Sequence, residues 1–315
     1  NVKINFIEGD FLLLEFDKKY DIVIGNPPYM KLTKEKSLAT KYKAGAINKD
    51  TNNIFAFFVE KAIKLGSYVS LIVPKSIINA PEFNKTREIM NYHSISHIID
   101  FGEKAFKGVK IETISFTINT TRKSGETLVS SYINNSVRLL PQKYITDSFF
   151  PYWLLYRNED FDRVANSMSF GIFKSYRDRV ITKAVTKSRG KFRVLKSRNI
   201  GNNEVIDIPD YDCYVDDISS FDVSKFLNHT ECVLLPNLTY NPRACFLPKN
   251  CIADGSVAIL SLSDPDVTVT AKDLEFYATD EFIQFYAIAR NLGTRSLNID
   301  NNSVFFFGKQ IITES

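Results

Sequence analysis

Histidine is scarce in this 315-residue chain, with three residues at 93, 97 and 229. Cysteine is nearly as rare: Cys213, Cys232, Cys245 and Cys251 form no C-x-x-C pair. No histidine stands at metal-ligand spacing from them, so a zinc site is not expected. Free, buried thiols in a reducing cytoplasm are the simpler reading, and the cytoplasm is the expected location. No apolar run reaches the roughly 18 residues of a membrane-spanning helix. No basic segment followed by an apolar one opens the chain, so no secretory leader is expected. No P-D…D/E-x-K nuclease constellation stands out.

The apolar fraction, 44%, is that of an ordinary globular protein. The length suffices for two domains, each with its own core. Net charge is only +4, but its distribution is uneven. Ten basic residues and one acidic residue, Asp178, lie between Lys174 and Arg198. An acidic stretch with Glu204, Asp207, Asp210, Asp212, Asp216, Asp217 and Asp222 follows. Two readings stay open: a one-sided surface for a polyanion, or two faces that partly neutralise each other.

Short apolar β-rich runs alternate with helical patterns over the first 118 residues. Strands are expected at Val2–Ile7, Tyr20–Ile24, Tyr68–Val73, His97–Phe101 and Ile111–Ile118. Helices are expected at Asn53–Leu65 and Glu82–Tyr92. This alternation predicts an α/β layer with a largely parallel sheet, which binds ligands at the carboxyl ends of its strands. Gly9-Asp10 and Asn26-Pro27-Pro28-Tyr29 occupy two such ends. After residue 120 the strands shorten and turns multiply, until a helical pattern returns at Asp280–Asn291. The expected division is one domain over 1–120, a bridge over 121–165 and a mixed α+β domain over 166–315.

Asn26-Pro27-Pro28-Tyr29 is the most informative segment. Two prolines stiffen the loop and remove two backbone donors, leaving carbonyls free to accept. Asn26 adds a side-chain acceptor and Tyr29 a flat aromatic face. Two acceptors and a stacking surface suit an amino group on a planar base. Such an amine is a weak nucleophile because its lone pair is delocalised into the ring. Acceptors that hold its two N–H bonds aim the lone pair and stabilise the positive charge that develops on nitrogen. No histidine base is needed.

The run D-I-V-I-G-N-P-P-Y resembles motif IV of the DNA amino-methyltransferases. The order of features is similar to that of the gamma-type N6-adenine DNA methyltransferases, the TaqI-methylase-like class. The resemblance implies part of a Rossmann-like methyltransferase sheet followed by a target-recognition domain. It also implies S-adenosylmethionine as cofactor, double-stranded DNA as partner and a place in a restriction-modification system. Asn26, Pro27, Pro28 and Tyr29 would be catalytic. Asn26 and the Pro27 carbonyl would accept from the adenine amino group, and Tyr29 would stack on the flipped base. Glu8-Gly9-Asp10-Phe11-Leu12 looks like motif III, so Asp10 and Phe11, with Asn26, would contact the cofactor. Asn53–Ala62 resembles the motif V helix and Val69–Ile78 motif VI. Ala105-Phe106-Lys107 is similar to motif VIII, where Phe106 would pack on the base from the other side.

The glycine-rich and acidic cofactor motifs of this class should precede motif III, yet only nine residues precede Asp10. The chain begins at Asn1 with a strand-like run. It is therefore expected to be part of something longer, or to have its cofactor pocket completed by another chain.

Residues 166–315 resemble the class's specificity domain more loosely, at Phe170–Ile172, Val194–Ile200 and Asn291–Leu297. Lys174, Arg177, Arg179, Lys196 and Arg198 are candidate DNA contacts, and 235–243 is a candidate base-reading loop. Two other function classes remain. One is a DNA specificity subunit or fragment without catalysis, motivated by the missing cofactor motifs. The other is an amino-methyltransferase acting on cytosine N4, RNA or a protein Gln.

Overall fold

The computed structural model describes residues 3–108, 110–238, 240–293 and 298–311. The chain divides into two compact units, Asn1–Leu155 and Tyr156–Ser315.

The first unit is built on one six-stranded sheet. Its elements are β1 (Tyr20–Gly25), α1 (Lys36–Gly45), α2 (Ile54–Leu65), β2 (Gly66–Pro74), α3 (Asn84–Asn91), β3 (Ser94–Gly102), β4 (Thr113–Asn119), β5 (Glu126–Ser131), β6 (Ser136–Pro141) and α4 (Gln142–Ile145). The strand order is β1-β2-β4-β3-β5-β6. Only β1–β2 and β3–β5 run parallel. The other three pairings are antiparallel, so the sheet is mixed where the sequence pattern predicts a largely parallel one. The cause is β4, which returns between β2 and β3 after a loop instead of a crossover helix.

Helix α2 packs on β2 and β1. Its sequence is apolar almost all round, as a helix sunk in a core must be. Even Glu60 is 2% exposed; its carboxylate accepts from the Ile47 and Asn48 amides at 2.7 and 2.9 Å. Helix α1 is not legible in the sequence, because KSLATKYKAG carries only a narrow apolar stripe. That stripe, Leu38, Ala39 and Tyr42, packs against Leu32, Ile54 and Phe57.

Two expectations change here. Residues 3–7 form no strand, and Ile4, Phe6 and Ile7 are exposed. No described strand lies beside them, and an unpaired strand has nowhere to send its backbone hydrogen bonds. The segment 121–165 is not a separate bridge: β5 and β6 extend the first sheet, while the contact boundary falls at 155/156.

The second unit is mixed α+β. It contains α5 (Glu159–Asn166), β7 (Met168–Ser169), β8 (Phe173–Tyr176), β9 (Phe192–Leu195), β10 (Cys213–Val215), β11 (Val233–Pro236), β12 (Cys245–Phe246), β13 (Cys251–Ala253), β14 (Val257–Leu262), α6 (Ala271–Phe276), α7 (Asp280–Ala289) and β15 (Lys309–Gln310). Sheets β12-β11-β14-β8 and β10-β9-β13 share one apolar core, which includes Val194, Leu195, Leu234, Ile252 and Ile259. An aromatic cluster forms around α7, with Phe161 stacked on Phe285 at 4.6 Å. All four cysteines are unpaired. Among the described residues no helix is long and apolar enough to cross a membrane, and no group of His, Cys, Asp and Glu is arranged to hold a metal.

Candidate active site

The loop Asn26-Pro27-Pro28-Tyr29 leaves the carboxyl end of β1, where Gly25 pairs with Leu71 of β2. Pro27 is buried, Tyr29 half-buried, and Asn26 and Pro28 are exposed. The Tyr29 hydroxyl donates to the carbonyl of Ile72 at 2.9 Å, one residue beyond the last β1–β2 pair. Burial pushes its pKa up to about 12, so the phenol stays neutral and remains a donor. The Tyr29 ring lies 6.3 Å from Phe55 and 6.3 Å from Phe106, edge-on to both.

The exit of the loop is pinned as firmly as its entrance. Ile54 N–H donates to the Met30 carbonyl, Leu32 N–H to that of Asn52, and Lys31 bridges Asn53. Glu82 closes this corner. Its carboxylate accepts from the Thr51 hydroxyl at 2.8 Å and the Asn53 amide at 2.9 Å, and it meets Lys31 Nζ at 3.2 Å. Sequence reasoning missed Glu82, Thr51 and Asn53, although the polar run N-K-D-T-N-N ahead of an apolar helix was a visible signal.

Phe11 stacks on Phe58 of α2, with ring centroids 5.1 Å apart and planes at 22°. A mainly apolar cavity of about 270 Å³ lies between this pair and the Asn26–Tyr29 loop, lined by Phe11, Gly25, Asn26, Pro27, Phe58 and Leu71 among others. The fold therefore brings Phe11, Asn26 and Pro27 to one cavity. Asp10 precedes Phe11 in the chain and is exposed. One of its oxygens accepts from Leu12 N–H at 2.9 Å, the other from the Tyr42 hydroxyl at 2.6 Å. Tyr42, on the unforeseen helix α1, was also missed; burial first, then Asp10, raises its pKa to about 12. Lys61 lies over the Phe11 ring at 5.4 Å and donates to the Leu12 and Leu14 carbonyls. Burial lowers its pKa against the pull of nearby acids.

In the second unit, Lys174, Arg179 and Arg198 are exposed. The Arg177 guanidinium donates to the Asn298 side chain at 2.8 Å. Lys196 lies 3.7 Å over the Tyr211 ring and donates to its carbonyl, and Arg198 lies over the same ring at 4.8 Å. The basic and acidic runs meet directly. Arg193 pairs with Asp207 and Asp212, and Lys187 with Asp216. Burial pulls the Asp212 pKa up, but hydrogen bonds from Asn199 and Ile208 and the charge of Arg193 outweigh it, and the net shift is down. These pairs neutralise one another locally. In the candidate reading loop, Asn237 is buried and bonded to Asn298, and Arg243 donates to Ile200 and Ser197 carbonyls, so both support structure. Thr239 of that loop and residues 294–297 of the late motif lie outside the described residues.

Residues 1–106 match the family model described as Eco57I restriction-modification methylase. Type II methyltransferase M.VspI of Vibrio sp. (strain 343) is 32% identical over 110 residues, which is 33% of this chain and 26% of that protein. Type II methyltransferase M.PstI of Providencia stuartii is 31% identical over 150 residues, 42% of this chain and 29% of that protein. The matched regions thus span less than a third of these curated relatives. The structure of the Type IIL restriction-modification enzyme MmeI in complex with DNA aligns with 90% of this chain and 46% of its own, with a TM-score of 0.53 and 11% identity. That likeness is one of fold: the mixed α/β architecture resembles that of a methyltransferase.

Proposed function

We propose that this chain carries the catalytic loop and the target-recognition part of an S-adenosylmethionine-dependent DNA methyltransferase that modifies adenine at N6, within a restriction-modification system. The observation that carries this reading is the anchored Asn26–Tyr29 loop, set at a strand end between an aromatic-lined cavity and the ring of Phe106.

The residues at the cavity suit the adenine end of the cofactor. The Phe11 ring offers a flat apolar face. Asp10 accepts two hydrogen bonds but has about four lone-pair sites, which leaves room for an amino group. When bound, S-adenosylmethionine supplies an electrophilic methyl group. The protein's own residues supply position and charge stabilisation. The Asn26 side-chain oxygen and the Pro27 carbonyl hold the two N–H bonds of the target amine and stabilise its developing positive charge.

Reaching that amine requires the base to leave the duplex. Stacking on Tyr29 and Phe106 returns part of the cost, about 1–3 kcal/mol per base. These rings meet at 68°, so parallel stacking between them requires one to turn. Tyr29 is tethered through its hydroxyl; Phe106, on a loop, is the ring that turns. Lys174, Arg177, Arg179 and Arg198 would meet phosphates or bases. Lys196, which like Arg198 lies over the Tyr211 ring, would join them.

The test is transfer of tritiated methyl groups to DNA lacking methyladenine, followed by nucleoside analysis. Asn26→Ala should lower turnover by about 10²-fold or more. Turnover near the wild-type rate would sink the mechanism, and N4-methylcytosine as product would move the chemistry to the other base. The rival reading is a DNA-binding specificity fragment without catalysis. Sequence-specific DNA binding with no methyl transfer would establish it.

A further inference from the structure

A buried cation sits beneath the loop that carries Phe106. Lys75 follows β2 directly, in a 3-10 turn spanning Lys75–Ile78. Its Nζ lies 2.6 Å from Asp100 and 3.8 Å from Glu112, with side-chain exposures of 6, 0 and 11%. Its backbone N–H donates to the Glu112 carbonyl at 2.9 Å. Asp100 is near the end of β3, and Glu112 immediately precedes β4. The two carboxylates therefore mark the two stems of the 103–112 loop, and one ammonium joins them.

The stems are braced further. The β3–β4 register slips between Asp100 and Gly102. Gly102 takes a left-handed φ of +54°, and its N–H turns back to the Asp100 carboxylate at 2.9 Å. Tyr132 N–H holds the Asp100 carbonyl at 2.8 Å. On the other side, β2 also supplies the Ile72 carbonyl that tethers Tyr29. Both aromatic rings of the base pocket are thus referenced to one strand.

We propose that Lys75 is a positioning residue that sets the Phe106 loop against Tyr29 by clasping both loop stems through Asp100 and Glu112. An apolar pair would hold the strands together as well as a buried ion pair does, without the desolvation cost. The charged pair contributes direction instead: it fixes the separation and angle of the stems from which Phe106 swings. The role in catalysis rests on the methyltransferase reading; the clasp itself does not.

The experiment compares the complete protein that contains this chain, as wild type, with its Lys75→Met, Lys75→Arg and double Lys75→Met/Asp100→Asn variants. Three quantities are read: hydrogen exchange across 101–113, thermal melting, and methylation kinetics on DNA. In Lys75→Met, exchange in 103–112 should rise about tenfold or more while α2 stays protected. Turnover should fall by about 10²-fold, the scale of a misplaced reacting geometry, with the KM for cofactor within about twofold of wild type. Lys75→Arg should recover part of both. The double variant, neutral at position 100 but still able to accept from the Gly102 N–H, should melt near wild type yet keep the fast exchange and slow turnover. Recovery of protection and turnover in the double variant would overturn the proposal, since the pair would then serve stability alone. Unchanged exchange in Lys75→Met would overturn it too. If the complete wild-type protein transfers no methyl group, the function fails and the exchange measurements alone decide the clasp.

Discussion

The side chains of the candidate site are held by partners that leave other atoms free to act. Tyr29 uses its hydroxyl for anchorage and keeps its ring for contact. Asp10 is oriented by Tyr42 from a helix 32 residues away. If the Asp10 carboxylate receives the cofactor's amino group, Tyr42 sets its angle. Tyr42→Phe should then weaken cofactor binding about fivefold, the value of one ordinary hydrogen bond, with little effect on turnover at saturation. Calorimetric titration measures this. Equal or tighter binding would show that Tyr42 competes with the ligand instead of presenting Asp10 to it.

Among the elements, α5 is short and polar on its outer face, so its ends matter. Asn158 caps it by accepting from the Phe161 N–H at 2.9 Å, and Glu159, Asp160 and Asp162 in the first turn complement the helix dipole. The cap seats Phe161, fully buried, on Phe285 of α7. Asn158→Ala should cost about 1 kcal/mol of stability, read as a lower denaturant midpoint with an unchanged slope. If the proposed methyl transfer takes place in the first unit, its kcat should be unaffected. The polar segment 46–53 acts differently: the Ile47 and Asn48 amides donate to Glu60 and the Thr51 and Asn53 side chains to Glu82, which braces it beside the Asn26–Tyr29 loop.

For the whole molecule, several buried groups favour the protonated state. Burial raises the Cys232 and Cys245 thiols from 9.0 to about 11 and about 12. Burial also raises Tyr277 and Tyr286, both completely enclosed. The unfolded chain releases these protons near the ordinary values, whereas the folded chain retains them. The stabilisation is therefore complete below about pH 9 and is lost as pH rises towards the folded pKa values. The melting temperature should be level from pH 7 to 8.5 and fall steadily up to pH 11. A level profile across that range would contradict the burial of these thiols and phenols.

Local chemistry made much of this protein readable from its sequence. The run YDIVIG is a strand because its β-branched apolar residues fit a pleated surface, and the two prolines after Asn26 end it as a stiff loop. The helix at 54–65 and the strands at 66–74, 94–102 and 113–119 follow from periodicity in the same way. Tertiary structure alone decided the rest. The direction of β4 depends on which edge was free, not on its own residues, so a largely parallel pattern became a mixed sheet. The strand-like run at 3–7 formed no strand because pairing is a property of two segments. Tyr42, Glu82 and Lys75 read as ordinary surface residues in one dimension. Their roles arise from partners brought close only by the packing of α1, α2, β2 and β3, and a hydrogen bond or ion pair acts only at that range.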